Sequence, residues 1–388
     1  MAGPPRAGKT DAVAPGSGDW QSNFGIEAAF ALGVEEELLL VDSEGALLDR
    51  GAEVARETDP PEGEVVGELF KAMVESNSDV SANAAEAVEA LARIRSELIA
   101  AGSRVMGVGV HPGARAGEAE IHPAPRYRAI QGDLRGVLRT PICGQHIHVG
   151  LPDEESAVRA YNGIRTHVPL LNALAANSPY WFGEDSGLAS ARTVLFRSYP
   201  RAAMAPEFAD FAEFKRVTRE VCAAAGLDDY THIWWDARIH PALGTVEIRA
   251  ADSQFDLRRV AALAALVHCL TRLETERDQS KIPSREALAE SSFQATRHGL
   301  EATLLDRDAN PVPARDLARR CLEDAAGVAG ELGCERELAY VETMVRQGTG
   351  ADLQREAFAA GGMKALLTFL EQRSAMPWEG AQPAEVAA

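Results

Sequence analysis

Four short segments set ionisable side chains at alternating positions, the spacing that brings side chains to one face of a β-strand. In Gly33-Val34-Glu35-Glu36-Glu37, Glu35 and Glu37 share a face and Glu36 takes the other. In Gly144-Gln145-His146-Ile147-His148-Val149-Gly150, the two imidazoles oppose Ile147 and Val149. Thr245-Val246-Glu247-Ile248-Arg249 pairs Glu247 with Arg249, and Met73-Val74-Glu75-Ser76-Asn77 offers Glu75 with Asn77. Singly, these patterns fit a solvated edge strand, hydrogen-bonded histidines or a self-neutralised surface pair. Together, Glu35, Glu37, Glu75, His146 and Glu247 make a set of carboxylates with one imidazole, the ligand chemistry of Mg²⁺ or Mn²⁺. Arg192, Arg197, Arg238 and Arg249 add forked donors for phosphate or carboxylate oxygens, so the combination suits a metal-held nucleoside triphosphate.

These residues need strands to aim them and helices to back the strands. β-rich runs stand at 33–41, 104–110, 143–150 and 244–251, and the LLLV that follows the acidic triplet predicts a strand buried on both faces. From Asn83 to Ala101, Val88, Leu91, Ile94 and Leu98 recur at helical spacing, with Asn83 and Glu86 to cap the start and Gly102 to end it. Further helices are expected over 154–176, 206–225, 255–277 and 284–305, and mostly helix over 312–374. Strands early and helices late predict an α+β fold. Residues 1–23 read as a disordered leader, 24–374 as a single catalytic domain and 375–388 as a loose tail.

The chain has 388 residues, with 58 Asp and Glu against 39 Lys and Arg, a formal charge of −19. No dense basic patch relieves it, which argues against nucleic acid or an anionic membrane as partner. No apolar run reaches the roughly 20 residues of a membrane helix, and the chain start lacks a signal-peptide centre, so a cytoplasmic location is expected. Five cysteines without a CxxC pair predict reduced thiols, and Cys143 lacks the companions of a zinc site. AGKT near the start lacks the rest of a P-loop, and neither a dinucleotide fingerprint nor GxSxG is present.

GVEEELLLVD, RTPICGQHIHVG, GLASARTVLFRSYPRAAMAPEF and WWDARIHPALGTVEIRAADSQ resemble the YbdK-type carboxylate-amine ligases of the glutamate-cysteine ligase type 2 family, from about residue 24 to 370. The resemblance implies a glutamine synthetase-like fold, a curved antiparallel sheet forming an open funnel backed by helices. It implies ATP-dependent joining of a carboxylate to an amine through an acyl phosphate, with glutamate and cysteine giving γ-glutamylcysteine. Glu35, Glu37, Glu75, His146 and Glu247 would then hold metal and nucleotide phosphate, with His148 beside them. Arg249 would steady the transferring phosphoryl group, Arg192 and Arg238 would hold substrate carboxylate or phosphate, and Arg297 would face the site from a late helix. Homo-oligomers are common among such proteins. The chain departs from the family pattern at Arg197-Ser198-Tyr199, at 201–205, at Ser76-Asn77-Ser78 and at Ser291. A different amine acceptor is one alternative. Others are a non-catalytic binding member and an amidohydrolase-type metal hydrolase, which would enlist His232, His240 or His268.

Overall fold

In the computed structural model, which describes residues 21–134 and 136–380, the acidic triplet and the LLLV after it form one central strand, β1 (Leu32–Val41). The other strands follow as β2 (Glu64–Gly67), β3 (Met73–Asn77), β4 (Arg104–Met106) and β5 (Gly144–Gly150). After a short ribbon, β6 (Tyr180–Trp181) with β7 (Glu184–Asp185), come β8 (Ala237–His240) and β9 (Thr245–Asp252), then a hairpin of β10 (Thr303–Leu305) and β11 (Pro311–Pro313). Seven strands make one sheet in the order β2-β3-β1-β5-β9-β8, with β4 also on β1. Every pairing in it is antiparallel. Leu39 lies opposite both Met73 and Met106, so β4 continues along β1 where β5 leaves it.

One face of this sheet is dry. Val34, Leu38 and Leu40 of β1, Ile147 and Val149 of β5, and Val246 and Ile248 of β9 are buried against Ala84–Ala100, Val168–Ala175 and Leu257–Glu274. A second helical layer, Ala314–Ala329 and Glu335–Gln347, packs on Leu257–Glu274. Leu39 and Val41 enter a second cluster with Phe70, Met106, Leu366 and Leu370, so the far half of β1 is buried on both faces as its sequence predicts. The α+β class and the antiparallel sheet backed by helices are therefore as expected. Among the described residues, no helix is long and apolar enough to cross a membrane.

Helix Ala84–Ala100 starts where Asn83 accepts the Glu86 N–H at 3.0 Å and ends at Gly102 with φ 87°. The other expected helices are shorter or divided. The 154–176 segment breaks at a 3₁₀ turn, Arg165–His167, and 206–225 begins only at Phe211, capped by Asp210. The 284–305 segment stops at His298, because Gly299 with φ 55° turns the chain into β10. Gly361 and Gly362 interrupt the last helix. The 104–110 strand ends at Met106, since Gly107 passes so close to the Gln254 carbonyl that a Cβ would collide with it. Asn23, the last residue of the expected leader, donates to the Pro241 and Ala242 carbonyls at 3.0 and 2.7 Å. Residues 1–20 and 381–388 lie outside the described residues.

Glu36 is the exception on the dry face. It is fully buried, and Arg95 from helix Ala84–Ala100 grips it with Nε to Oε1 at 2.8 Å and Nη2 to Oε2 at 2.6 Å. The same guanidinium donates to the Gln254 and Phe255 carbonyls at 2.7 and 3.1 Å, just beyond β9. One side chain thereby ties a helix, the central strand and the exit of β9. Removing one partner of such a pair strands a buried charge, which costs about 3–5 kcal/mol. Arg95→Met is expected to lose that much in denaturant unfolding, and Glu36→Gln combined with Arg95→Met to recover part of it; equal losses in the two variants would contradict the assignment.

Candidate active site

The opposite face of the sheet gathers the ionisable residues through register. Glu35 lies opposite Asn77 on β3 and His146 on β5, while Glu37 lies opposite Glu75. His148 lies opposite Glu247 on β9, and Glu247 opposite Arg238 on β8. A register shift between Gln145 and Ile147 falls at His146. The four segments singled out by alternation thus supply neighbouring side chains to one surface.

Ligand atoms of Glu35, His146 and Glu247 lie within 4.8 Å of one another, and so do those of Glu37, Glu75 and His146. His146 belongs to both groups. Its Nδ1 is 3.0 Å from Glu35 Oε2, and His148 Nε2 is 3.2 Å from Glu35 Oε1. Thr245 Oγ1 sits 3.0 Å from the other nitrogen of His148. Arg238 donates from Nε to Glu247 Oε2 at 2.7 Å and from Nη1 to the Thr231 carbonyl, also at 2.7 Å. Arg249 pairs with the second oxygen of Glu247.

The two groups differ electrostatically. Burial would raise Glu35, but His148 and His146 offset it and hold the carboxyl well below its usual value. Burial likewise opposes ionisation of Glu247, and Arg238, Arg249 and His148 reverse that effect. Burial and the Arg249 charge push His146 down to about 4, leaving a neutral imidazole suited to bind a cation. In the other group, burial and the Glu68 charge push Glu37 up to about 7, against partial relief from Arg192 and the Gly144 N–H. Burial and the charges of Glu35, Glu68 and Glu37 hold Glu75 well above the ordinary range. A carboxylate-rich, electrostatically unrelieved group with one neutral nitrogen fits a hard divalent cation.

Arg192 enters on helix Ala191–Arg197 and lies against Gly144, where a Cβ would overlap its Nη2. Asp252 holds the approach to that helix, accepting from Asn177 N at 2.9 Å, Ser178 Oγ at 2.7 Å and Ser190 Oγ at 2.8 Å. The Nε atoms of Arg192 and Arg249 are buried without a hydrogen-bond partner among the described residues. Arg197 is committed to Asp236 at 2.5 Å. Arg297 is exposed on Arg285–His298. Ser291, one of the departures from the family pattern, is a structural residue: its Oγ accepts the Leu305 N–H at 3.0 Å. Sequence reasoning missed Glu68 and Asp252. Glu68 follows β2, which has no clear alternation. Asp252, though within the quoted WWDARIHP…AADSQ stretch, has the parity of Val246 and Ile248 rather than that of Glu247 and Arg249, and the register shift between β5 and β9 intervenes before it, so alternation did not mark it.

Because Glu37 is raised from 4.5 to about 7, ionising it opposes folding of the cation-free chain. Its favourable contribution is fully present below about pH 4.5 and is lost as pH rises through 7. In chelator, Glu37→Gln should therefore raise the melting temperature by roughly 1–4 °C at pH 8 and leave it unchanged near pH 4.5. Added Mg²⁺ should stabilise the native sequence more than the variant. A uniform shift across pH would contradict this.

Residues 31–372 match the family model described as Glutamate-cysteine ligase family 2. A Rubrobacter xylanophilus protein named "Putative glutamate--cysteine ligase 2-3" is 40% identical over 369 residues, covering 92% of this chain and 100% of its own length. The protein named glutamate–cysteine ligase of Halobacterium salinarum is 35% identical, covering 87% and 96%. Among solved structures, the glutamate–cysteine ligase of Francisella tularensis in complex with AMP shares the fold, with TM-score 0.67 at 11% identity over 90% of this chain and 89% of that one. With the carboxylate face in place and the match running through nearly all of the described chain, the protein belongs to glutamate-cysteine ligase family 2 and is an enzyme of the ATP-dependent glutamate–cysteine ligase type.

Proposed function

We propose that this face joins the γ-carboxylate of glutamate to the amine of cysteine, using ATP whose phosphates are held through Mg²⁺ or Mn²⁺. The observation that carries the proposal is the pair of ligand groups, Glu35/His146/Glu247 and Glu37/Glu75/His146, that meet at one imidazole. Bound there, divalent cations would offset the charge of the polyphosphate, so that a second anion, the substrate carboxylate, can approach it. The AMP held by the Francisella protein of the same fold is in keeping with a nucleotide at this face.

The residues of the chain divide the remaining work. Arg238 is occupied by Glu247 and the Thr231 carbonyl, so it positions that carboxylate rather than reaching for substrate. Arg249 and Arg192 each keep an unpartnered Nε, a donor for phosphoryl or substrate carboxylate oxygens. The γ-carboxylate oxygen attacks the γ-phosphorus and ADP leaves; the amine then attacks the acyl carbon and phosphate leaves. Of the histidines the amidohydrolase alternative would enlist, His268 is engaged with the Phe30 carbonyl at 2.7 Å from a helix behind the sheet, and His240, whose ring centroid lies 6.0 Å from that of His148, enters neither ligand group.

Glutamate, ATP and Mg²⁺ supplied with a panel of amines should release ADP and form product fastest with cysteine. Glu35→Gln and Glu247→Gln should each lower that rate by about 10²-fold or more. Titration with Mn²⁺ followed by electron paramagnetic resonance should count two ions per chain, and one in Glu75→Gln. Unchanged turnover in Glu247→Gln would refute the assigned role, and faster reaction with another amine would reassign the acceptor.

A further inference from the structure

The helical layers behind the sheet contain a second chemical arrangement that the ligase reading does not use. The 3₁₀ turn Arg165–His167 sets His167 between two groups. Its Nε2 is 2.9 Å from Glu274 Oε1, and its Nδ1 is 3.8 Å from Cys321 Sγ. Glu274 is fully buried at the end of Leu257–Glu274 and is fixed further by Arg307 at 2.5 Å and Arg277 at 3.3 Å. Gly163 makes room for it, since a Cβ there would collide with the Glu274 carboxylate. Cys321, on Ala314–Ala329, lines a cleft with His167, Thr166, Leu170, Leu317 and Arg320. Thiol, imidazole and carboxylate stand in series, with the thiol and the imidazole both lining the cleft and the carboxylate fully buried.

We propose that Cys321, His167 and Glu274 form a thiol-modification site at which Cys321 undergoes exchange with small disulfides entering the cleft. His167 Nδ1 takes the Sγ proton, and the thiolate attacks one sulfur of the incoming disulfide. The disulfide bond breaks and the Cys321 mixed disulfide forms. The departing thiolate takes the proton back from the imidazolium. The incoming disulfide is itself the oxidant, so no other reactant is needed. Glu274 is a positioning residue, orienting the ring and stabilising its charged form. Burial alone would lower His167, but Cys321 and Glu274 reverse this and lift it to about 9, so the ring can hold the proton at neutral pH.

The chain carries its own control. Cys222 is 7% exposed against 5% for Cys321, and burial pushes its thiol up. The folded native protein would be exposed to cystine at pH 7, quenched in acid and mapped by peptide mass. Cys321 should acquire the mixed disulfide at least about 10-fold faster than Cys222. His167→Gln should slow Cys321 by about 10-fold or more and leave Cys222 unchanged. A Cys321 rate at or below that of Cys222, or one unaffected in His167→Gln, would overturn the proposal. Should that variant fail to fold, the ratio measured in the native chain still decides.

Discussion

Mutual repulsion among carboxylates on one sheet face is the constraint that organises this molecule. Antiparallel register brings Glu35, Glu37, Glu75 and Glu247 within reach of shared ligand positions, with Glu68 beside them. The chain resolves only part of the repulsion. Glu247 lies between two guanidinium groups and Glu35 between two imidazoles, so both stay ionised. Glu37 and Glu75 receive no comparable relief and are both raised. That asymmetry leaves half of the site with protonated or strained carboxylates in the free chain, and there a cation gains most by displacing a proton.

A surface with this much unrelieved charge needs a backing that does not yield. The alternate residues of the same strands form a dry core against helices, so each ligand-bearing backbone position is fixed from behind. Glu36 has the same parity as those core residues, and Arg95 converts it from a buried charge into a tie between three elements. A buried ion pair is weak evidence of added stability, but a forked one has a single acceptable geometry. Here it fixes where β1 stands relative to the exit of β9. The close approach of Arg192 to Gly144 extends the same logic to the front face, where no larger residue leaves room for the guanidinium.

What was legible in the sequence follows from where the information is local. Strand parity is local, so the facing of Glu35, Glu37, His146, His148, Glu247 and Arg249 could be read before any fold was known. The cap at Asn83 and the stop at Gly102 are local too. The strand β8 was not legible as such, because four residues between the Trp234-Trp235 pair and Pro241 carry little periodicity. Glu68 follows a four-residue strand with no clear alternation, and its importance comes only from the tertiary neighbours Glu37 and Glu75. Helix breaks at 165–167 and 361–362 escaped periodicity because apolar spacing continues through them. Arg297 was placed by resemblance alone, and it is exposed on Arg285–His298.

The two halves of the site are held by different kinds of structure. The carboxylates and imidazoles are fixed by strand register, where slipping one residue would turn every ligand to the wrong face. Arg192 instead rides on a seven-residue helix whose approach depends on side-chain hydrogen bonds to Asp252. Beyond it, Arg201 adopts φ 65°, donates to the His232 carbonyl at 2.9 Å and lies 5.5 Å from the Trp234 ring centroid. These are loop devices, and they coincide with the stretch from 197 to 205 where the chain departs from the family pattern. Substitutions there can change what Arg192 faces without moving a strand. The carboxylate-bearing half is therefore constrained by the sheet, and under the proposed function variation in the amine accepted falls to the loops around Arg192.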